Sequence, residues 1–282
     1  MEKTFDRAFY RRILSVAMPI IIQNGITNFV SMLDNVMVGQ VGTVPMSGVA
    51  IVNQLLFVFN LCVFGAVSGA GIFTAQFYGS DDSEGVRYTF RFKLLIGLLL
   101  TAAGVAVFTL GGKGLIGLYL EGDGDLTAAA ATMEYGWNYL LVMLWGLLPF
   151  ALANAYSSTL RETGQTLVPM AAGIVAVLVN LTLNYVLIFG NFGAPKMGVT
   201  GAAVATVISR YVELAVVTVW THRHGKQNPF IIGALRSMAI PGGLMKRIIV
   251  KGMPLLVNEA LDRKSTRLNS SHRCTSRMPS SA

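Results

Sequence analysis

The stretch Leu94-Leu-Ile-Gly-Leu-Leu-Leu-Thr-Ala-Ala-Gly-Val-Ala-Val-Phe-Thr-Leu110 decides the fold. It carries no charged residue, and from there to Met133 the only charges are Lys113, Glu121, Asp123 and Asp125. A run of about 18 or more apolar residues reads as a membrane span. One such run is compatible with a buried core helix, but six in series are not. Working outward, spans are expected at 13–38, 49–77, 94–110 or slightly beyond, 135–156, 167–189 and 199–220, with a seventh beginning near Ile248. All are expected to be helices, because an open strand leaves backbone groups unsatisfied in lipid. The fold class is therefore all-α integral membrane, a six-helix transmembrane bundle. Pro19, Pro149 and Pro169 can kink or start helices.

Composition agrees. The chain is 53% hydrophobic and only 13% charged, against roughly a quarter charged in soluble domains. The net charge of +8 does not point to nucleic acid, because five basic residues (Arg263, Lys264, Arg267, Arg273, Arg277) lie in the last twenty positions. Without them seventeen basic residues face fourteen acidic ones. The rest are distributed as membrane topology distributes them. Lys3, Arg7, Arg11 and Arg12 precede the first span, and Arg87, Arg91 and Lys93 are expected in the loop after the second. Arg161 follows the fourth, and Arg223, Lys226, Arg236, Lys246 and Arg247 follow the sixth. The intervening loops hold only Lys113 and Lys196. The N-terminus is thus expected in the cytoplasm of a multi-pass protein of the bacterial inner (plasma) membrane, in contact with lipid.

An internal repeat sets the larger organisation. Arg12-Ile-Leu-Ser-Val-Ala-Met-Pro19-Ile-Ile-Ile-Gln-Asn24 returns as Arg247-Ile-Ile-Val-Lys-Gly-Met-Pro254-Leu-Leu-Val-Asn-Glu259, a constant 235 residues later. Six spans between the copies give both the same orientation, which is the parallel repeat of a two-lobed transporter. The expected division is a six-helix lobe at 8–221, a cytoplasmic inter-lobe loop at 222–245 and the truncated start of a second lobe at 246–261. After Leu261 the composition turns abruptly to Ser/Arg-rich coil, so 262–282 is expected to be a disordered, non-native tail. On this reading the second lobe is missing in cis.

Asp34 stands out among residues able to carry chemistry. It lies inside the first span, where an ionisable side chain costs several kcal/mol and faces a cavity or partner. A carboxyl group there could exchange a proton or hold a cation such as Na⁺; the alternative is a hydrated aspartate near the outer helix end. Asn180 and Asn184 are spaced i, i+4 and share a helix face. Their amides could ligate Na⁺ or join Asp34 in a proton network, or simply bond between helices. Asn53, Gln54 and Asn60 could line a pathway or make packing contacts. Arg210 and Glu213, at i, i+3, are close enough to pair. The small-residue stretch Gly65-Ala-Val-Ser-Gly-Ala-Gly71 favours close helix packing.

Other chemistries find no support. The histidines (His222, His224, His272) are expected in a loop and the tail. Cys62 and Cys274 imply no disulfide framework or metal site, and no Gly-rich phosphate loop occurs in the right context. The chain reads as a non-enzyme, without a cofactor and without nucleic acid as a partner.

Three stretches together resemble the multidrug and toxic compound extrusion (MATE) family. They are Leu33-Asp34-Asn-Val-Met-Val-Gly39-Gln-Val-Gly42, Ser158-Thr-Leu-Arg161-Glu-Thr-Gly164-Gln-Thr, and Asn180-Leu-Thr-Leu-Asn184-Tyr-Val-Leu-Ile-Phe-Gly190 with Gly198-Val-Thr-Gly-Ala-Ala-Val-Ala-Thr206. The resemblance implies twelve helices in two lobes and efflux of small cationic amphipathic substrates in exchange for Na⁺ or H⁺. It implies that Asp34 and the pair Asn180 and Asn184 serve ion coupling, that Pro19 serves helix bending, and that Glu259 resembles a helix-7 acid. Some members carry aspartate where this chain has Asn184, a departure that tells against a proton-only mechanism. A lipid-intermediate flippase of the same superfamily and a non-transporting membrane scaffold are the competing readings.

Overall fold

The computed structural model describes residues 7–120 and 126–250. Glu259, the second copy of the Met-Pro motif and the 262–282 tail lie outside the described residues. Within them the chain forms α1 (Arg7–Gly39), α2 (Thr43–Gly79), α3 (Ser83–Leu120), α4 (Leu126–Leu144), α5 (Leu147–Glu162), α6 (Leu167–Phe189) and α7 (Gly198–Arg223). Short 3₁₀ turns occupy Asn191–Gly193 and Pro229–Ile231, and the chain is helical again at 242–250. Among the described residues four helices (α2, α3, α6 and α7) are each long and apolar enough to cross a membrane, and α4 and α5 together, bent by 48° at their junction, are as long and apolar as one broken span.

That bend corrects the expected uninterrupted span at 135–156. The helix breaks at Trp145 and Gly146. Pro149 supplies the reason: its ring has no N–H to offer and clashes with the carbonyl four residues back, which is that of Trp145. Pro169, by contrast, falls in the first turn of α6, where a missing N–H costs nothing. α1 continues as helix through Pro19.

A second correction concerns Arg87, Arg91 and Lys93. They lie on α3, not in a loop. The helix starts earlier than the apolar run because the Asp82 carboxylate accepts from the backbone N–H groups of Glu84 and Gly85 at 3.1 and 2.9 Å, as an N-cap does. At about 1.5 Å per residue the 38 residues of α3 extend well beyond a hydrocarbon core of about 30 Å. The same holds for His222, which sits in the last turn of α7.

Two larger apolar clusters organise the packing among the described residues, beside a small third one of Ala70, Phe92, Leu244 and Ile248. One joins α2, α4 and α7 around Val52, Leu56, Val63, Leu140, Met143 and Ala203. The other joins the ends of α3, α5 and α7 around Phe90, Tyr156, Leu160 and Val217, and takes in Phe230 and Ile231 of the segment after α7. Phe90 meets the rings of Tyr156 and Phe230 edge-on at 4.9 and 5.5 Å. That segment is tied down further. Arg91 donates to the carbonyls of Gly233, Ala234 and Ala239, and Arg87 to that of Phe230. Glycine permits a close crossing: a Cβ on Gly48 of α2 would lie 2.8 Å from the backbone N of Gly136 and the carbonyl O of Thr132 on α4. Gly190 ends α6 with φ 75, a left-handed conformation that suits glycine.

Candidate functional site

α1, α2, α4, α6 and α7 line a half-open cavity of about 290 Å³. Its polar wall comes from Asp34 and Asn35 (α1), Asn53 and Asn60 (α2), Tyr139 (α4), Asn184 (α6), and Thr206 and Arg210 (α7). Val38, Val49, Leu56, Phe57, Met143 and Ala202 supply the apolar part. Helical periodicity explains the α7 contribution, since Ala202, Thr206 and Arg210 are four residues apart and share one face.

Asp34 and the two asparagines come together as the sequence suggested. Asn184 donates its amide to Asp34 Oδ1 at 2.6 Å and to Asn180 Oδ1 at 3.1 Å. Asn180 lies 3.3 Å from the Thr206 hydroxyl. With the Asn180 carboxamide turned over, its nitrogen sits 3.1 and 3.0 Å from Asp34 Oδ1 and Oδ2, and its oxygen accepts from Thr206. In that orientation both amides serve the carboxylate, which suits a charged Asp34. In the other, the Asn180 oxygen faces the carboxylate oxygens. That arrangement needs a proton or a cation between them, because two acceptors do not bond to each other. Asn180 and Asn184 are buried while Asp34 is half-buried, so the carboxylate is the member open to the cavity. One carboxylate with neutral amide and hydroxyl oxygens is a hard donor set. Among the described residues no cluster of three His, Cys, Asp or Glu side chains is available for a softer or more highly charged metal.

The remaining candidates separate. Asn53 lines the cavity and accepts from the Tyr139 hydroxyl at 3.4 Å. Gln54, one residue on and turned about 100° around the helix, is half-buried and does not line it. Arg210 lines it but makes no ion pair with Glu213: among the described residues the ion pair that forms is Lys93 with Glu162. Arg210 donates instead to the Gly146 carbonyl at 3.1 Å and lies 4.9 Å over the Phe150 ring. It thus bonds to the backbone at the break between α4 and α5, sharing the Gly146 carbonyl with the Phe150 N–H at 3.3 Å. Pro19 and Asp34 share α1.

Sequence reasoning missed a second buried polar cluster. Lys93 on α3 is fully buried. It donates to Ser158 Oγ at 3.0 Å, to Thr159 Oγ1 at 3.3 Å and to the Glu162 carboxylate. Ser158 also donates to Glu162 Oε1 at 2.5 Å. The available signal was the i, i+4 spacing of Ser158 and Glu162 opposite a lysine that borders an apolar run. Nearby, Arg161 donates to Gln23 of α1 at 3.3 Å, and Gln23 donates to the Pro169 carbonyl at 3.4 Å. Thr206 and Tyr139 were likewise not singled out; a hydroxyl within a span carries no signal without its neighbours.

These features define an all-helical, multi-pass membrane protein in which a helix-borne carboxylate opens onto a polar cavity between helices. The chain belongs to the MatE family, whose model matches residues 19–186, and members of this family are transporters rather than enzymes. The chain is 30% identical over 212 residues to a probable multidrug resistance protein NorM of Thermotoga maritima, covering 74% of this chain and 43% of that protein. A probable NorM of Bacillus licheniformis is 28% identical, with 90% and 55% covered. The multidrug resistance protein MdtK of Cronobacter sakazakii is 25% identical, with 90% and 54% covered. The chain therefore spans about half the length of the curated relatives it matches. The fold is shared with a crystal structure of MATE in the straight conformation (TM-score 0.75, 20% identity, 88% of this chain and 53% of that one). An outward-facing MATE family transporter of the MOP superfamily gives a TM-score of 0.72 at 20% identity, with 87% and 52% covered.

Proposed function

We propose that this chain is the first lobe of a secondary antiporter that exports cationic amphipathic compounds in exchange for Na⁺ or H⁺. One observation carries the reading: Asp34, bonded to Asn184 at 2.6 Å, presents the anionic group of a cavity lined by five helices. A carboxylate held by neutral amides can give up those bonds to a proton or cation and regain them on release, which is what coupling requires. A cationic substrate competes for the same charge. The names of the curated relatives point the same way. The basic residues of the helix ends support an orientation with the N-terminus in the cytoplasm, and the 235-residue repeat supports a second lobe of parallel orientation.

The test is Asp34→Asn in the complete transporter containing this lobe, reconstituted in vesicles. The isostere keeps the shape and removes the charge, so the protein inserts as before. Ion-driven efflux is expected to fall to background, and imposing a Na⁺ or a pH gradient separately on the unaltered protein identifies the coupling ion. Undiminished efflux by the variant would remove Asp34 from the coupling role.

A further inference from the structure

The segment that follows α7 is fastened to the lobe over one stretch and free over the next. Asn228, Phe230, Ile231 and Ala234 are buried, and Arg87 donates to the Phe230 carbonyl at 3.3 Å. Arg91, itself buried on α3, divides its guanidinium fork among three carbonyls of that segment. Nε donates to Ala234 at 2.9 Å, Nη2 to Gly233 at 2.9 Å and Nη1 to Ala239 at 3.1 Å. Bonds from a charged donor are roughly twice as strong as neutral ones, and these carbonyls lie in turn and irregular backbone with no helical ladder to serve them. Two of the three carbonyls precede the exposed stretch 235–238 and the third follows it, so one side chain closes a loop of chain. Past Ala239 the fastening ends. Pro241, Gly242 and Gly243 are exposed, and a Cβ on either glycine would meet nothing within 4 Å. The helix at 242–250 then rests on α2 and α3: Leu244 and Ile248, with Ile240 beside them, pack on Ala70 and Phe92. That contact is made by aliphatic side chains alone.

We infer that Arg91 is a positioning residue for transport: it pins the inter-lobe connection at Ala239, so that the second lobe pivots just beyond, at 240–243, and not at the end of α7. This rests on the reading of the chain as the first lobe of a two-lobed antiporter. The aliphatic contact of Ile240, Leu244 and Ile248 is the part that separates when the lobes move, and the guanidinium bonds are the part that stays. The consequence is a matter of length. From the held Ala239 to the helix at Gly242 the chain extends no more than about 10 Å, at about 3.5 Å per residue. Freed from Arg91 but still seated at buried Ile231, the connection to Gly242 could extend about 38 Å on the same scale. The effective concentration at which tethered partners meet falls as about the −3/2 power of tether length, so the pin sets how readily the cytoplasmic ends of the lobes come together again.

The experiment places Gly-Ser-Gly-Ser either after Arg236, inside the pinned loop, or after Ile240, beyond it, in the complete transporter reconstituted in vesicles. Inside the loop the insertion bulges outward, and efflux is expected to be unchanged. Beyond it the tether grows from about three steps to about seven, and kcat is expected to fall about fourfold on the power law, with KM unchanged because no cavity residue is touched. Arg91→Gln alone is expected to lower kcat about sevenfold, and in that background the two insertions are expected to act alike. An arginine with a purely structural role would not make the effect of an insertion depend on its place. The 282-residue chain itself tests the pin without transport. Spin labels on cysteines replacing exposed Ser80 and Met238, with Cys62 and Cys274 replaced by alanine, are expected to give one narrow distance, which Arg91→Gln broadens and Arg91→Lys partly restores. Equal effects of the two insertions beside an intact Arg91, or an unbroadened distance in Arg91→Gln, would overturn the inference and leave the antiporter reading standing. Absence of ion-driven efflux by the unaltered complete protein would overturn the antiporter reading, and the transport role of Arg91 with it, whatever the label distances show. If Arg91→Gln does not fold, the two insertions decide the matter.

Discussion

Breaking the Lys93–Glu162 pair should destabilise the lobe by an amount that depends on which partner is removed. Lys93 has no exposed side-chain surface, whereas Glu162 retains 18%. All three ammonium hydrogens of Lys93 are taken up, by Ser158, Thr159 and Glu162. Removing one member of a buried pair costs about 3–5 kcal/mol, because the other charge is left without an answer and without water. Glu162→Leu strands a lysine that cannot reach solvent, so its cost belongs near the upper end of that range. Lys93→Met leaves Glu162 partly hydrated and still bonded to Ser158, so its cost belongs near the lower end. The double replacement removes both charges and is expected to cost less than either single one, since an apolar pair of similar volume replaces an ion pair at little loss. Equilibrium unfolding of the purified protein in mixed micelles, titrated with sodium dodecyl sulfate and followed by tryptophan fluorescence, gives the three free energies for a double-mutant cycle. If the two single costs simply add in the double variant, the pair is not coupled and the account of this cluster is wrong.

Other expectations follow from the same geometry. Gly48→Ala places a methyl group 2.8 Å from backbone atoms of α4, which no rotamer change relieves; a loss of about 1–3 kcal/mol should appear in the same titration, while Gly25→Ala, which meets nothing within 4 Å, should be close to neutral. Pro149→Ala restores an N–H able to bond the Trp145 carbonyl, so the 48° bend should relax. Spin labels on exposed positions of α4 and α5 should then move apart, and an unchanged distance would show that Arg210 and Gly146, not the proline, hold the break. A cysteine at exposed Ser80, with Cys62 and Cys274 replaced by alanine, should react with an impermeant maleimide only when the cytoplasmic side is accessible; labelling from outside intact cells would invert the topology.

The membrane-spanning, all-helical character of this protein is written in its composition, because lipid admits only helices and closed barrels, and an unbroken apolar run such as 94–110 lacks the alternation of a barrel strand. The candidate pair Asn180 and Asn184 was legible for a similar reason: helical periodicity alone places i and i+4 on one face. Asp34 stood out because a carboxylate in a span must be answered by something. What answered it was a matter of tertiary packing, since α1 and α6 lie some 150 residues apart and no local rule relates their registers. The same limit explains the errors. Hydropathy marks the part of α3 that sits in lipid, not the capped helix that begins at Ser83, so Arg91 and Lys93 looked like loop charges. Spacing made Arg210 and Glu213 look like partners, yet the break at Gly146 offered Arg210 a carbonyl and Phe150 a ring. Periodicity assigns each side chain to a face of its own helix; which face of which neighbour it meets depends on how the helices cross, and only the folded bundle decides that.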